Sequence, residues 1–388
     1  MKIKLLSMPT ALLCLVLFYS CKKPPKVSPG TNLPGAKVFV LGSDSNYNFV
    51  YWKNGVAVNM PATIAASLNP SGFFVSGNNI YAAGGTNPYM AAVRPGTAEY
   101  WNNGAVTALP AATGYAFTSA IFVSGGDVYA AGVTYYPPQL TVPFTTLAAT
   151  YPTEGYVATY WKNGVAATLP CPGVDGESGG FGTTGYADYI SGIFVSGNDV
   201  YVSGGSSISQ TGIDSNFHFA RYWKNGIPTE LVKGLTNIAP SQQDFPNTTG
   251  IYVAGNDVYV AGFESVGGPD TSLTLRALYW KNGVAKYLTT FAETPAKAIS
   301  IFVSGSDVYM AGYETLNGYT YATYWKNGVA TNLTSNIFSE ASSIFISGSD
   351  VYVAGFEFIN GTEYAVYWKN GTVVKLGANF NASSIYVQ

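Results

Sequence analysis

The sequence predicts an all-β chain built from one repeated four-stranded unit, and three observations predict it. All seven Trp of the 388 residues fall in one motif, Tyr-Trp-Lys-Asn-Gly at 51–55. It recurs around Trp101, Trp161, Trp223, Trp280, Trp325 and Trp368, at spacings of 43 to 62 residues. A second motif, of the form Val-Tyr-Val-Ala-Gly, occupies 38–42, 80–84, 128–132, 200–204, 258–262, 308–312 and 351–355. A third, Ile-Phe-Val-Ser-Gly, occupies 73–77, 121–125, 193–197, 251–255, 301–305 and 344–348, with a seventh copy, Ile385-Tyr386-Val387, at the end. Self-similarity at such a period marks a repeat architecture. Four-stranded antiparallel units repeated seven times imply a seven-bladed β-propeller.

The segment before residue 37 lies outside the repeats. Lys2 and Lys4 precede a mostly apolar run from Leu5 to Phe18, and Cys21 follows it. A basic start and a short apolar run read as a secretory signal, too short to span a bilayer comfortably. A Cys directly behind that run, with Ser20 before it, resembles the lipobox of bacterial lipoproteins, in the looser form seen in Bacteroidetes. The resemblance implies a signal peptide over 1–20, acylation of Cys21 and anchoring in the outer membrane. An ordinary cleaved signal or an uncleaved anchor is the alternative. Residues 21–36 form the tether. Pro24, Pro25, Pro29 and Pro34 keep it extended. The tether is basic, which favours the periplasmic side over the cell surface.

Residues 37–388 are expected to form a single propeller, with four short strands to each blade. Strand A is the Ile-Phe-Val-Ser run and strand B the Val-Tyr-Val-Ala run. Strand C ends in Tyr-Trp-Lys, and strand D is Val-Ala-Thr-x-Leu. β-Branched and aromatic residues dominate each, and turn residues bound them. Asn-Gly between C and D asks for a type I′ turn, whose two central residues need φ > 0. Gly-x-Asp or Gly-x-Asn between A and B is a second tight turn. A and B are apolar on both faces, as strands sandwiched between blades must be, so A is innermost and D outermost. The repeats begin at strand B, Val38 to Gly42, without their A strand and end on an A strand without partners, Ser384 to Val387. The C-terminal strand therefore closes the ring. This pattern resembles the extracellular "HAF" repeats, in which Ile-x-x-Ser-Gly-x-x-Val-x-Gly is followed by Trp-x-Asn-Gly and a Leu. The resemblance covers 37–388 and implies no functional residue.

Composition narrows the function. Charged residues are only 10% of the chain, and the part after residue 36 carries 14 basic against 21 acidic residues. A formal charge of −7 disfavours nucleic acid and other polyanions. One His and three Cys leave little for a soft-metal site or a disulfide framework, and no cofactor is expected. Gly176-Glu177-Ser178-Gly179-Gly180 matches Gly-x-Ser-x-Gly, but it sits in a Gly-rich loop without the strand and helix that a nucleophile elbow needs. Asp127, Asp199, Asp257, Asp307 and Asp350 share one turn position, where Asp hydrogen-bonds the turn; a cation ring is the sharper alternative. Glu264, Glu314 and Glu357 read as solvated residues at the entry to a loop. Lys53, Lys162, Lys224, Lys281, Lys326 and Lys369 read as a belt that aids solubility. The Tyr-Trp pairs read as packing between blades.

The ligand face follows from connection lengths. A–B and C–D turns are tight and share one face. B–C and D–A connections share the other, and the longest are 133–155, 170–190 and 233–248. They and the adjoining blade carry Tyr135, Tyr136, Tyr151, Tyr186, Tyr189, His218 and Arg221, which form the candidate binding set. The expected function is a lipid-anchored recognition or scaffold propeller of the cell envelope, with an envelope protein or a glycan as partner. Alternatives are a glycan-binding propeller or a carbohydrate-active enzyme. Glycosidases need two carboxylates flanking the bond, and the inner strands as read from the motifs hold none. The chain is therefore expected not to be an enzyme.

Overall fold

The computed structural model of the protein describes residues 35–45, 49–59, 72–85, 96–111, 115–136, 141–142, 149–150, 155–170, 183–210, 216–231, 245–267, 273–289 and 294–388. These form a seven-bladed propeller. Blade 1 takes strands B, C and D from Val38–Asp44, Phe49–Lys53 and Val56–Asn59, and its strand A from Phe380–Val387. Blade 2 runs through Gly72–Ser76, Asn79–Gly85, Ala98–Asn102 and Ala105–Leu109 in the order A to D. In the same order, blade 3 runs through Ala116–Ser124, Asp127–Tyr136, Gly155–Lys162 and Val165–Thr168, and blade 4 through Thr183–Ser196, Asp199–Gln210, Asn216–Lys224 and Ile227–Glu230. Blade 5 comprises Phe245–Ala254, Asp257–Gly267, Leu273–Lys281 and Val284–Tyr287. Blade 6 comprises Ala296–Ser304, Asp307–Leu316, Tyr319–Lys326 and Val329–Asn332, and blade 7 Ser339–Ser347, Asp350–Ile359, Thr362–Lys369 and Thr372–Ala378. Neighbouring strands within each blade are antiparallel. Blades 3 and 4 are also joined, because Gly155 and Tyr156 pair in parallel with Tyr186 and Ala187.

The ring closes as the split repeat predicts. Val38, Phe39 and Val40 pair with Val387, Tyr386 and Ile385, and Lys37 and Gln388 exchange two main-chain hydrogen bonds of 2.8 and 3.0 Å. Each Trp packs against the preceding blade. Trp223 joins Val157 and Leu169 of blade 3, Trp368 joins Ala311 and Ala322 of blade 6, and Trp52 joins Tyr352 and Ala354 of blade 7. Six of the seven indoles are at most 2% exposed. Two tie the blades directly: Trp161 Nε1 donates to Pro110 O at 2.8 Å and Trp223 Nε1 to Pro170 O at 2.6 Å.

The Asn-Gly turns have the conformation their sequence demands, with Asn54, Asn163, Asn225, Asn282, Asn327 and Asn370 at φ of 49–52°. Each Asn does a second task that the sequence reading missed. In all seven blades its Oδ1 accepts from the main-chain N–H that opens strand B, at 2.8–2.9 Å.

Strand A is longer than the motif suggests. In blades 3 to 7 and in blade 1 it carries an irregularity of register at the second residue before the motif begins, as between Ala298 and Ser300 or Ala341 and Ser343. The glycine that ends the Val-Tyr-Val-Ala-Gly motif sits opposite it. A Cβ on Gly262 would strike Asn247 O and the Trp280 ring, and one on Gly312 would strike Lys297 O. Bulges of this kind bend a strand and re-aim its side chains.

Candidate functional site

The two faces of the ring are built differently. On the tight-turn face, blades 3 to 7 each carry a latch. Lys162, Lys224, Lys281, Lys326 and Lys369 bridge Asp127, Asp199, Asp257, Asp307 and Asp350 at 2.6–2.9 Å. The neighbouring Asn donates from Nδ2 to the same Asp at 2.7–2.8 Å. The lysine and asparagine hold each carboxyl below its usual range. The Asp series is thus committed to lysine rather than to a metal ion, and five of the six lysines, all but Lys53, are latch partners rather than a free basic belt. Blade 2 swaps both members together: Asn79 replaces the Asp, Asn102 replaces the Lys, and Asn103 Nδ2 donates to Asn79 Oδ1 at 2.7 Å.

Around the axis stands a collar of seven aromatics, one from each strand A: Phe74, Phe122, Phe194, Tyr252, Phe302, Phe345 and Tyr386. Successive centroids are 4.7–5.2 Å apart, and the circle closes from Tyr386 back to Phe74. Successive planes differ by 45–56°, close to one seventh of a turn, so the rings stand along the axis. At this spacing two rings cannot lie edge to edge; they overlap obliquely, like the leaves of an iris, with edges inward. A regular heptagon with such sides has corners about 5.6 Å from its centre, which leaves an opening on the order of one water molecule. The collar therefore narrows the channel between the seven strands A to about one water molecule; the part of that channel on the long-connection side is called the cup.

The rim of the cup lies on the long-connection side. Five residues before each collar aromatic stand Phe117, Tyr189, Asn247, Lys297, Glu340 and Asn381, all half-buried. Five positions with one bulged residue place the rim about 13–16 Å above the collar. Lys297 Nζ lies 4.7 Å from the centroid of Phe263. Burial pushes the Glu340 carboxyl up, against the opposing charge of Lys297. Burial also raises the Tyr313 phenol, and Glu340 adds to that. Blades 5 to 7 thus gather a cation, a carboxyl whose charge burial disfavours and two aromatic rings on the long-connection side. Such a set can hold a polar ligand by hydrogen bonds and charge. Among the described residues, no group of three His, Cys, Asp or Glu comes together as a metal site would require.

The sequence-predicted residues scatter around this site. Tyr189 is a rim residue in strand A of blade 4, not an exposed loop tyrosine. Thr248 N–H donates to its hydroxyl at 3.1 Å, and burial raises its phenol. Arg221 is not exposed either; it is 3% accessible in strand C of blade 4, with its guanidinium near the rings of Phe219 and Trp223. Tyr135 is the last residue but one of strand B of blade 3, half-buried between Tyr115 and Tyr156, with centroids 5.6 and 5.5 Å away. Tyr136, Tyr186 and His218 occupy strand positions opposite Gly155, Ile208 and Ser207. Tyr151, Cys21 and Gly176–Gly180 lie outside the described residues. Residues 183–190 and 245–248, read as connection, are strand. The acidic trio is not a solvated loop entry. Glu264 and Glu357 are buried; Glu264 accepts from Tyr287 at 2.7 Å, and Glu357 accepts from Asn336 and Trp368 at 2.9 and 3.2 Å.

Neither a family model nor a curated protein matches the chain. Solved structures do. The acylaminoacyl peptidase of Pyrococcus horikoshii is 14% identical over 80% of this chain, with a TM-score of 0.43. A GH32 β-fructofuranosidase of Bombyx mori is 9% identical over 77%, at 0.31. A xylan β-1,4-xylosidase of Bacillus halodurans is 8% identical over 94%, at 0.30. The chain spans 46% of the first, 63% of the second and 96% of the third. At these scores the likenesses assign no activity to this chain.

They do correct one expectation. The expectation that the chain is not an enzyme is withdrawn: the three solved structures just named are enzymes. Its premise fails on the structure as well: strand A of blade 4 contains Asp188 and strand A of blade 7 contains Glu340. Asp188 is buried and accepts from Ala158 N at 2.8 Å and Ser206 Oγ at 2.7 Å.

Proposed function

We propose that this chain is a recognition propeller of the cell envelope, held at the outer membrane by an acylated Cys21, which binds an envelope partner through the cup and its surrounding long connections. The asymmetry of the ring carries this reading. One face is closed by tight, latched turns, whereas the other surrounds the cup rimmed by Lys297 and Glu340. Rigid rings that vary only in the connections of one face are a common platform for binding. Tyr115, Tyr135 and Tyr156 add an aromatic cluster on blade 3, which favours a glycan as the second reading, since tyrosines with one apolar side and one polar end suit sugars.

The test uses the chain with Cys21→Ser, screened against a glycan array and against envelope extracts. Glu340→Gln and Lys297→Ala should each weaken the captured interaction about tenfold, roughly 1.4 kcal/mol. Binding that ignores both substitutions and falls with Tyr135→Ala would move the site to blade 3. Binding that ignores all three would refute the long-connection face as the site.

A further inference from the structure

We propose that the tight-turn face lies against the lipid bilayer, so that the cup points away from it; this rests on the acylation of Cys21 proposed above and goes beyond it by assigning the membrane contact to one face of the ring.

The first argument is where the chain enters the fold. Val38 N–H donates to Asn54 Oδ1 at 2.9 Å and Asn54 N–H donates to Val38 O at 2.8 Å, so strand B of blade 1 begins beside a C–D turn. Lys37 pairs with Gln388 at the same edge. The tether therefore leaves from the tight-turn face.

The second argument is reach. Lys37 lies sixteen residue steps beyond Cys21. As a coil they span about 20–24 Å, and fully extended at most about 55 Å. Four strands about 4.8 Å apart, set around the collar, give a disc of about 20–25 Å radius, and its longer strands make it about 25–30 Å thick. To present the opposite face, the tether would have to pass from the inner edge of blade 1 over the rim, about 50 Å. That consumes nearly its full length, and coil entropy opposes it.

The third argument is the chemistry of the face. The first residue of strand D is an exposed aliphatic in five blades: Val56, Val165, Ile227, Val284 and Val329 are 64–72% accessible. Each stands opposite a lysine, namely Lys53, Lys162, Lys224, Lys281 and Lys326. Lys53 forms no ion pair among the described residues and sits over the Phe39 ring at 5.5 Å. Four of these lysines are neutralised by their latch aspartates, so the face offers aliphatic tips with no excess of negative charge, and Lys53 adds one basic side chain beside the point where the tether leaves; such a surface suits the headgroup layer.

The experiment places a fluorescent label at position 349 through Ser349→Cys, in the A–B turn of blade 7, or at position 317 through Asn317→Cys, in the B–C turn of blade 6. Both sites are exposed. Cys171→Ser removes the competing thiol, and acylation occupies Cys21. The acylated protein is reconstituted into vesicles of phosphatidylcholine and phosphatidylglycerol that contain a nitroxide-headgroup lipid. Quenching at position 349 is expected to exceed that at 317 several-fold. Equal quenching, or stronger quenching at 317, overturns the proposal. Shielding of position 349 that is the same without lipid and grows with protein concentration assigns the face to a second copy and also overturns it. If the Cys21→Ser protein still sediments with the vesicles, the anchor reading fails, while the contrast between the labels still reports which face meets lipid.

Discussion

At the residue scale, the tryptophans carry stability and Glu340 carries a cost. Trp223 is fully buried against blade 3 and donates to Pro170 O. Trp223→Ala should lower unfolding free energy by about 3–5 kcal/mol, read from the denaturant midpoint by circular dichroism; a loss below about 1 kcal/mol would show that the blades hold together without it. Glu340 behaves in the opposite sense. Its folded-state carboxyl binds a proton more readily than in the unfolded chain, because burial penalises the charge. The penalty is present above the folded pKa, shrinks as pH falls through it, and is gone below the unfolded value near 4.5. Glu340→Gln should therefore raise the melting temperature at pH 7, and the gain should vanish by about pH 4. A gain that is the same at both pH values would show that charge is not its origin.

At the scale of the element, the last strand is the test of closure. Deleting Ser384 to Gln388 removes the residues that pair with Val38 to Leu41, takes Tyr386 from the collar and leaves an open sheet edge, which invites aggregation. The melting temperature should fall by many degrees and soluble yield should drop. An unchanged thermogram would mean that blade 1 stands without it. Strand A also shows where the sequence was legible and where it was not. The motif Ile-Phe-Val-Ser identified its lower half, and the repetition of that motif was enough to count the blades. The upper half, with Lys297 and Glu340, was hidden because the bulge interrupts the two-residue alternation by which strands are recognised. The signal was nevertheless there: counting five residues back from the collar aromatic finds the rim in blade 1 and in blades 3 to 7. Tyr189 lies in strand A and not in the loop its surroundings suggested, and Arg221 lies in a strand whose burial its charge concealed.

At the scale of the whole molecule, five latches on one face act together in acid. Each aspartate is held below its usual range by its lysine and asparagine. Its contribution is present above the unfolded value near 3.8 and is lost as pH falls through the folded one. On the alkaline side the lysines are raised, Lys224 to about 12, so their share persists to high pH and is lost as pH passes the folded value. Exposed pairs contribute little singly, and the sum is what should be visible. Thermal stability should be nearly level between pH 6 and 9 and fall below about pH 4. Replacing all five aspartates by Asn, as blade 2 already does with Asn79, should flatten the acid fall. An identical fall in that variant would show that the latches do not cause it.

The split blade also orders events in time. Leu41 O accepts from Ser383 Oγ across 342 residues of chain. At 5–20 residues per second, synthesis separates those two partners by roughly 20–70 s. During that interval Trp52 has no bed of Tyr352, Ala354 and Ala365 to lie on, and the apolar residues Val38 to Leu41 stand without an inner neighbour. The blade begun first is finished last. The ring must therefore hold its first apolar edge open until the final eight residues arrive, and in that interval this edge is the part of the fold most open to pairing with a wrong strand.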